Sequence, residues 1–256
     1  MGLVVPYLMG GLGNWLFQIA ISLLVGKDSV VLSDKHCSRS PHAGTDYFTT
    51  ILKHIRKGDV NIELKKFDEP EKFQGIDIKK TIKFVESCNV LLYGYFQNWN
   101  YIPKGFGDLL DYKNPSLLEK YPSIQDTCFL HVRGGDYVNH FFHDVGLSER
   151  YYPASIKFMK EKHGITKFAV FTNDKDYCSR REYLKDIDYD IIDENELDTL
   201  YLMTQCKAGI TANSTFSWWG AYLNPNRPLC LPSKWFNDPA MNISGYFFPG
   251  CFVEQV

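Results

Sequence analysis

Residues 127–137 read TCFLHVRGGDY, an apolar run that turns abruptly into a charged, glycine-containing one. An apolar run of this length is typical of a strand buried on both faces of a sheet. Further runs of this type occur in the C-terminal half, at 167–171, 189–192, 208–211 and 228–231. Helical patterns separate them, at 153–163, 174–184, 196–206 and 215–223. The alternation predicts βαβ crossovers and therefore an α/β fold with a doubly wound parallel sheet.

The N-terminal half carries a weaker version of this pattern. A predicted strand at 3–9 leads through the glycine-rich sequence GGLGN into a helix, and two more strands are predicted at 30–33 and 90–95. Residues 34–88 are polar and poorly periodic, which predicts loops and short elements. Glycines and prolines within 100–122 predict a linker. We therefore expect two Rossmann-like halves with a cleft between them, formed by residues 1–118 and 119–256.

The composition is that of an ordinary globular protein. The chain has 256 residues, of which 45% are hydrophobic, and its 28 basic and 30 acidic residues include no long run of one sign. Nucleic acid is therefore not an expected partner. Seven scattered cysteines show neither metal-ligand spacing nor a disulfide pattern, and the apolar stretch 15–25 is shorter than the about 20 residues of a membrane span. We expect a soluble cytoplasmic protein, with peripheral membrane association left open.

Three polar clusters each follow directly on a predicted strand of the C-terminal half. They occupy 131–137, 172–174 and 212–216. In an open parallel sheet, ligands bind outside the carboxyl ends of the strands, so the clusters should meet at one edge of the sheet. We expect the polar residues of these clusters to form one ligand site, with Asn173 and Asn213 among them.

The first and third clusters suit a phosphate-bearing ligand. Arg133 stands at a strand end before two glycines, where a guanidinium can grip a diphosphate through two parallel hydrogen bonds. Ser214 and Thr215 open a helix whose free N–H groups attract anions. The structural alternatives are an ion pair between Arg133 and Asp136, and simple helix capping by Ser214 or Thr215.

Other residues also have two interpretations. Asp174 suits the donor pair on the edge of guanine, or else caps the following helix. His131 lies within a predicted buried strand, so a core histidine is the alternative to a ligand contact. Asn14 and Gln18 fall on the first turns of the predicted N-terminal helix. The GGLGN turn also allows a nicotinamide oxidoreductase, although that function would leave the other clusters unexplained.

Taken together, HVRGGDY, MGGLGNWLFQ and NSTFSWWGAYL resemble the motifs of the α-1,2-fucosyltransferases of glycosyltransferase family 11. The resemblance implies a GT-B-like fold and an inverting enzyme. It also implies transfer of L-fucose from GDP-β-L-fucose to the 2-hydroxyl of a terminal sugar, usually galactose, with no metal and no other cofactor. The expected partners are then a GDP-sugar donor, bound by the C-terminal half, and an oligosaccharide acceptor on the side of the N-terminal half.

The resemblance also implies residue roles. Arg133 corresponds to the arginine on the donor phosphates, and Asp136 is assigned with it to catalysis. The remaining donor-binding residues are expected to be His131, Asn173, Asp174, Asn213, Ser214, Thr215 and Phe216. Asn14 and Gln18 would face the acceptor. The general base is left open among Asp136, His140, His143 and Asp144, of which the histidines and Asp144 lack the spacing of a metal site.

The sequence departs from the family pattern at two positions. Gly134 occupies the position of the family's usual second arginine, and Trp15 stands where a glutamine is common. One of two cations at the diphosphate is therefore missing. Two alternatives follow from this loss: a transferase that uses another GDP-sugar, or an inactive homologue that binds nucleotide-sugars or glycans.

Overall fold

A computed structural model describes residues 2–38 and 46–254 of the chain. The chain forms two compact units, Met1–Asp111 with Ala240–Tyr246, and Tyr112–Pro239 with Phe247–Val256. The chain thus enters the second unit after Asp111, whereas the sequence predicts a boundary after residue 118. The assignment of an acceptor side and a nucleotide-sugar side to the two halves stays a prediction.

The first unit contains a three-stranded parallel sheet and two helices. Its strands are β1 (Val4–Pro6), β2 (Lys65–Asp68) and β3 (Val90–Tyr93), in the order β1-β3-β2. Its helices are α1 (Leu12–Gly26) and α2 (Ile78–Ser87). The strand predicted at 30–33 is reduced to single bridges from Val30 to Val4 and from Leu32 to Lys57.

Helix α1 is the buried helix that the apolar sequence predicts. Twelve of its fifteen residues are buried, among them Trp15, whose ring meets that of Tyr47 edge-on at 5.3 Å. Trp15 therefore fills the core of this unit. At the other end of the helix, a Cβ on Gly26 would come within 2.8 Å of the side chain of Val4, so the helix packs directly on β1.

Residues 240–246 complete the first unit although they are far from it in sequence. The Tyr246 hydroxyl donates to the side-chain carbonyl of Gln97, and the Asn242 N–H donates to the carbonyl of Lys72 over 2.9 Å. A Cβ on Gly245 would lie 2.7 Å from the Asn98 side chain. These contacts hold the segment tightly against residues that follow β2 and β3.

The second unit is built on six parallel strands. They are β4 (Cys128–Val132), β5 (Lys167–Thr172), β6 (Asp188–Ile192), β7 (Ala208–Ile210), β8 (Leu229–Pro232) and β9 (Phe252–Glu254). Its helices are α3 (Leu117–Lys120), α4 (Tyr151–His163), α5 (Lys175–Ser179), α6 (Glu196–Gln205) and α7 (Thr215–Tyr222). The predicted α/β architecture with parallel sheets is confirmed.

The strand order of this sheet is β6-β5-β4-β7-β8-β9. Counted from β4, that is the 3-2-1-4-5-6 order of the doubly wound Rossmann fold, whose order reverses between the first and fourth strands. Here the reversal lies between β4 and β7. Helices cover both faces, because Leu130 of β4 packs in one core with Met159 of α4, while the neighbouring His131 meets Phe216 of α7. The edge between β4 and β7 is the place where such sheets bind ligands.

Some elements differ from the prediction. The helix expected over 174–184 ends at Ser179 and is followed by a short 3₁₀ turn, Glu182–Leu184. Strands β2 and β9 and helix α2 were not predicted, because they are edge strands and a surface helix with only Thr81 and Val85 buried. Part of the loop region expected at 34–88, residues 39–45, lies outside the described residues.

Candidate active site

The three polar clusters meet at the carboxyl edge of the second sheet, as the strand order requires. The Gly134 N–H donates to Asn173 Oδ1 over 2.9 Å, and the Gly135 N–H donates to Asp174 Oδ2 over 3.2 Å. Asn213 Nδ2 donates to the carbonyl of His143, in the loop after the first cluster, over 2.9 Å. Hydrogen bonds thus join residues 39 to 70 positions apart in the chain into one edge.

A cavity of about 430 Å³ opens beside this edge. Its volume lies within the range of small-molecule sites. Three arginines line it, Arg133, Arg180 and Arg181. The other lining residues are Tyr137, Val138, Asn139, His143, Asp144, Val145, Gly146, Leu147, Ser148, Glu149, Tyr152, Tyr177 and Asn213. The cavity therefore combines cations with aromatic rings, a composition suited to an anionic ligand.

Arg133 points into this cavity while held by a carboxylate. Its Nη2 donates to Asp136 Oδ1 over 2.7 Å, and its Cζ lies 4.8 Å from the centre of the Tyr137 ring. The Arg133 side chain is 16% exposed but that of Asp136 is 60% exposed. An ion pair with such an exposed partner is worth less than about 1 kcal/mol. The buried Nε of Arg133 has no hydrogen-bond partner among the described residues. The ion pair that was the structural alternative is thus present, but it is weak enough for a stronger anion to replace Asp136.

Asn173 and Asp174 brace the loop that carries Arg133. Asp174 Oδ1 accepts from the Tyr177 N–H over 2.8 Å, which makes Asp174 the N-cap of α5, and Oδ2 holds Gly135. Asn173 adds a second, longer bond from its Nδ2 to the carbonyl of Gly134 at 3.4 Å. Both carboxylate oxygens of Asp174 thus already bind backbone N–H groups. The capping alternative is realised in this structure, and the contact of Asp174 with guanine stays a prediction.

The third cluster places a helix start at the same edge. Asn213 Nδ2 donates to the carbonyl of Trp235 over 3.0 Å as well as to that of His143, so this side chain ties two loops together. Ser214 occupies the N-cap position of α7, but its side chain makes no capping hydrogen bond. The first turn of α7 contains no acidic residue, so the positive end of the helix dipole is not neutralised locally.

His131 is a core histidine in this structure. It is 4% exposed, and its ring lies 6.2 Å from that of Phe216 in an edge-on arrangement. Burial, with a smaller contribution from the charge of Arg133, lowers the pKa of His131 to about 3. The ring is therefore neutral at pH 7. His131 does not line the cavity, so its predicted contact with the donor has no geometric support from the cavity itself.

The loop after Tyr137 contains the residues considered as a general base. His143 stacks on Tyr137 with ring centres 4.6 Å apart and lines the cavity, and burial lowers its pKa. His140 Nδ1 accepts from the His143 N–H, and Asp144 Oδ2 accepts from the Asn139 N–H over 2.7 Å. Within residues 2–38 and 46–254, no three His, Cys, Asp or Glu side chains gather as metal ligands. Of the four candidates, His143 and the exposed Asp136 accept no backbone hydrogen bond among the described residues.

The sequence pattern of the family described as Glycosyl transferase family 11 matches residues 6–246. The chain belongs to glycosyl transferase family 11. It is 26% identical to the O-antigen biosynthesis glycosyltransferase WbnK of Escherichia coli, over 90% of this chain and 93% of that protein. It is 28% identical to an alpha-1,2-colitosyltransferase of Escherichia coli, over 94% and 95%.

A more distant relative is the putative galactoside 2-alpha-L-fucosyltransferase svh-11 of Caenorhabditis elegans, at 24% identity over 91% of this family 11 chain and 72% of that protein. Among solved structures, the crystal structure of POFUT1 in complex with GDP is similar with a TM-score of 0.49 and 12% identity, over 89% of this chain and 96% of that one. No described helix of the family 11 chain has the length and apolar character needed to cross a membrane.

Sequence reasoning missed the arginines on the far side of the cavity. Arg180 and Arg181 follow α5, and the helix predicted over 174–184 would have carried them away from the edge of the sheet. In the structure α5 ends at Ser179, and both arginines line the cavity of this family 11 chain. The sequence shows two adjacent arginines, but it does not show where α5 ends.

In the first unit of the family 11 chain, Gln18 has a structural role. It is 1% exposed, its Oε1 accepts from the Met9 N–H over 3.0 Å and its Nε2 donates to the Met9 carbonyl over 3.3 Å. Gln18 thus fixes the glycine turn before α1, and its contact with an acceptor stays a prediction. Asn14 Oδ1 accepts from Gln97 Nε2 over 2.7 Å.

A carboxyl group that the sequence did not single out lies at the carboxyl edge of the first sheet. Glu69 follows β2, and its Oε2 accepts from the N–H groups of Tyr95 at 2.7 Å and Phe96 at 2.9 Å. Burial outweighs these hydrogen bonds and raises the pKa of Glu69 to about 7. Such a carboxyl group is half protonated near neutrality, a property typical of functional positions.

Proposed function

We propose that this chain is an inverting glycosyltransferase that moves L-fucose from GDP-β-L-fucose to the 2-hydroxyl of a terminal sugar, galactose in the first instance, and forms an α-1,2 linkage. The observation that carries the proposal is the cavity at the reversal point of the second sheet, lined by three arginines. The family and the named activity of the Caenorhabditis elegans relative support the reaction type. The donor and acceptor are part of the proposal.

Departure of the diphosphate is the step that this site suits best. As the bond from the sugar to the diphosphate breaks, negative charge grows on the leaving group, and preformed cations and N–H groups that meet this charge lower the barrier. Arg133 would exchange its exposed partner Asp136 for the diphosphate and gain a two-pronged contact. The first turn of α7 would add backbone N–H groups.

The exchange has a consequence for Asp136. Once Arg133 binds the diphosphate, the carboxylate of Asp136 is released from its ion pair and is available to the acceptor hydroxyl. We therefore assign Asp136 to catalysis as the group that orients Arg133 before donor binding and accepts a proton from the acceptor hydroxyl afterwards. General base catalysis of this kind contributes about 10²- to 10⁴-fold.

The proposal includes no metal and no cofactor besides the donor substrate. Arg133 and a helix start can meet the charge of the leaving group where other transferases use a divalent cation. Transfer should then proceed at an unchanged rate in excess EDTA. We also propose a cytoplasmic location. The proposal is supported by the seven free cysteines, because thiols stay reduced in that compartment.

A second donor is favoured by one specific observation. The relative with 28% identity is named an alpha-1,2-colitosyltransferase. That name gives the same 1,2 linkage but colitose, rather than fucose, as the transferred sugar. GDP-colitose is accordingly the second candidate for this chain.

The deciding experiment titrates the purified protein calorimetrically with GDP, UDP and dTDP, and then assays GDP release from GDP-fucose and GDP-colitose with lactose as acceptor. Preferential binding of GDP and acceptor-dependent release of GDP would support the proposal. Binding of GDP with neither donor turned over would favour the inactive homologue. Preference for UDP or dTDP would contradict the proposed donor class.

A further inference from the structure

We infer that Arg181 is a second diphosphate-binding cation of this site, and that it takes the place that a side chain at position 134 cannot fill. The inference deepens the proposed function and rests on it. It concerns a residue outside the motifs of the sequence, on the segment that follows α5. Three features carry it: how Arg181 is held, what blocks position 134, and the charge left in the cavity.

Arg181 is fixed in position without being neutralised. Its Nε donates to the carbonyl of Tyr177 over 3.1 Å, and its Cζ lies 4.1 Å from the centre of the Tyr177 ring. A guanidinium stacked in this way keeps both terminal nitrogens for a ligand. Among the described residues no carboxylate pairs with Arg181, whereas Arg133 is paired with Asp136. Arg181 lines the cavity and thus presents an unneutralised, preorganised charge to it.

The same tyrosine excludes a side chain at position 134. A Cβ on Gly134 would lie 2.8 Å from the Asp174 Cβ and 3.0 Å from Tyr177 Cδ1. Real Cβ atoms essentially never come as close as the first distance, and the second is tighter than nearly all of their contacts. The Asp174 Cβ is next to the backbone and cannot move away easily. The ring that closes this position is therefore the ring that carries Arg181. The cation reaches the cavity from the end of α5 rather than from the end of β4.

The charge of the cavity supports the assignment. The lining holds three arginines and two acidic residues, Asp144 and Glu149, and Asp144 already accepts from the backbone N–H groups of Asn139 and Gly146. Asp136 offsets the charge of Arg133 as long as no ligand is bound. A diphosphate carries more than one negative charge at neutral pH, so a single arginine leaves it partly unneutralised. A clamp of Arg133 and Arg181 on two sides supplies the second charge.

The experiment compares four variants with the wild type by calorimetric titration with GDP and with GMP. They are R181Q, R181K, R180Q, and the control K162Q, which removes one positive charge from an exposed position on α4. Loss of a charge-assisted hydrogen bond predicts about ten- to a hundredfold weaker GDP binding in R181Q, with a smaller loss for GMP. R181K should recover part of the affinity, because lysine keeps the charge but not the stacked, forked geometry. R180Q should lose less than R181Q, since Arg180 is exposed and no side-chain contact with another described residue holds it toward a ligand.

The outcomes separate this inference from the proposed function. If the wild type binds GDP and the GDP affinity of R181Q is within twofold of that of K162Q, the role of Arg181 is overturned. The proposed donor class is not affected by that result. A loss in R180Q equal to or greater than that in R181Q also overturns it. If wild type prefers UDP and R181Q weakens UDP binding, Arg181 keeps its role and the guanine assignment falls. Absence of binding of every nucleoside diphosphate to the wild type overturns both. R181K, with unfolding midpoints measured for all variants, keeps the test valid if R181Q is unstable.

Discussion

Substitution of Gly134 by alanine tests the packing that underlies the site. The added methyl group would sit 2.8 Å from the Asp174 Cβ and 3.0 to 3.1 Å from two atoms of the Tyr177 ring, whereas carbon atoms in proteins prefer about 3.5 to 4.0 Å. Overpacking of this kind costs about 1 to 3 kcal/mol of unfolding free energy. The loop must shift to relieve it, and Arg133 precedes Gly134 directly, so GDP affinity should fall as well.

The assay is urea unfolding of G134A, with G58A as the matched control. A Cβ on Gly58 would meet only Val31 at an ordinary 3.5 Å, so G58A should leave stability unchanged or raise it by up to about 1 kcal/mol through the unfolded chain. In a Y177A background, part of the cost of G134A should disappear, with a coupling of about 0.5 to 2 kcal/mol. The reasoning would be refuted by a G134A protein as stable as G58A, or by an equal cost of G134A with and without the Tyr177 ring.

Three further predictions follow from other parts of the molecule. R133Q should lower the transfer rate by at least about 10²-fold, because a cation at the leaving group is lost. The free energy of unfolding should change by less than about 1 kcal/mol, since Asp136 is exposed. Initial rates measure the first effect and urea unfolding the second. The folded-state pKa of His131, about 3, lies below its unfolded value of about 6.5, so its stabilising effect is complete above pH 6.5 and is lost as pH falls toward 3. Between pH 7.5 and pH 5, the free energy of unfolding of the wild type should therefore fall by about 2 kcal/mol more than that of H131Q. If the unfolding free energies of the two proteins change equally with pH, His131 is not a neutral buried ring. Q18A should lower the free energy of unfolding by about 1 to 3 kcal/mol, because both backbone groups of Met9 lose their partner, and a purely structural role leaves the KM for acceptor unchanged. A raised KM at normal stability would instead support the predicted acceptor contact.

The second unit was largely predictable because its strands are buried on both faces. A central parallel strand such as Cys128–Val132 must be apolar along its whole length, and the polar residues that follow it then mark the ligand-binding edge. The burial of Trp218 and Trp219 against the sheet follows from the same requirement. Sequence reasoning thus indicated the edge at which the three polar clusters meet, while the role of Arg133 at a diphosphate stays a prediction.

Elements without a strong periodic signal escaped prediction. Strand β2 has the sequence KKFD and lies at the edge of its sheet, where nothing demands an apolar run. The end of α5 is set by tertiary contacts, among them the bond from Arg181 Nε to the carbonyl of Tyr177, and neither glycine nor proline marks it in the sequence. For the same reason Arg181 could not be assigned to the site. The elevated pKa of Glu69 arises from burial in the folded chain, where its oxygen meets the N–H of Tyr95, 26 positions away, so it has no local signature.

The double passage of the chain between its two units bears on how the specificities of relatives can be exchanged. A hybrid made with a single junction after Asp111 would give Gln97 and Asn98 a foreign partner in place of residues 240–246, which supply Tyr246 and Gly245. Such a protein inherits mismatched core contacts in one half even when both parents fold well. Recombination between family members should therefore transplant the 240–246 segment together with the first 111 residues, as a pair of inserts into the remaining sequence.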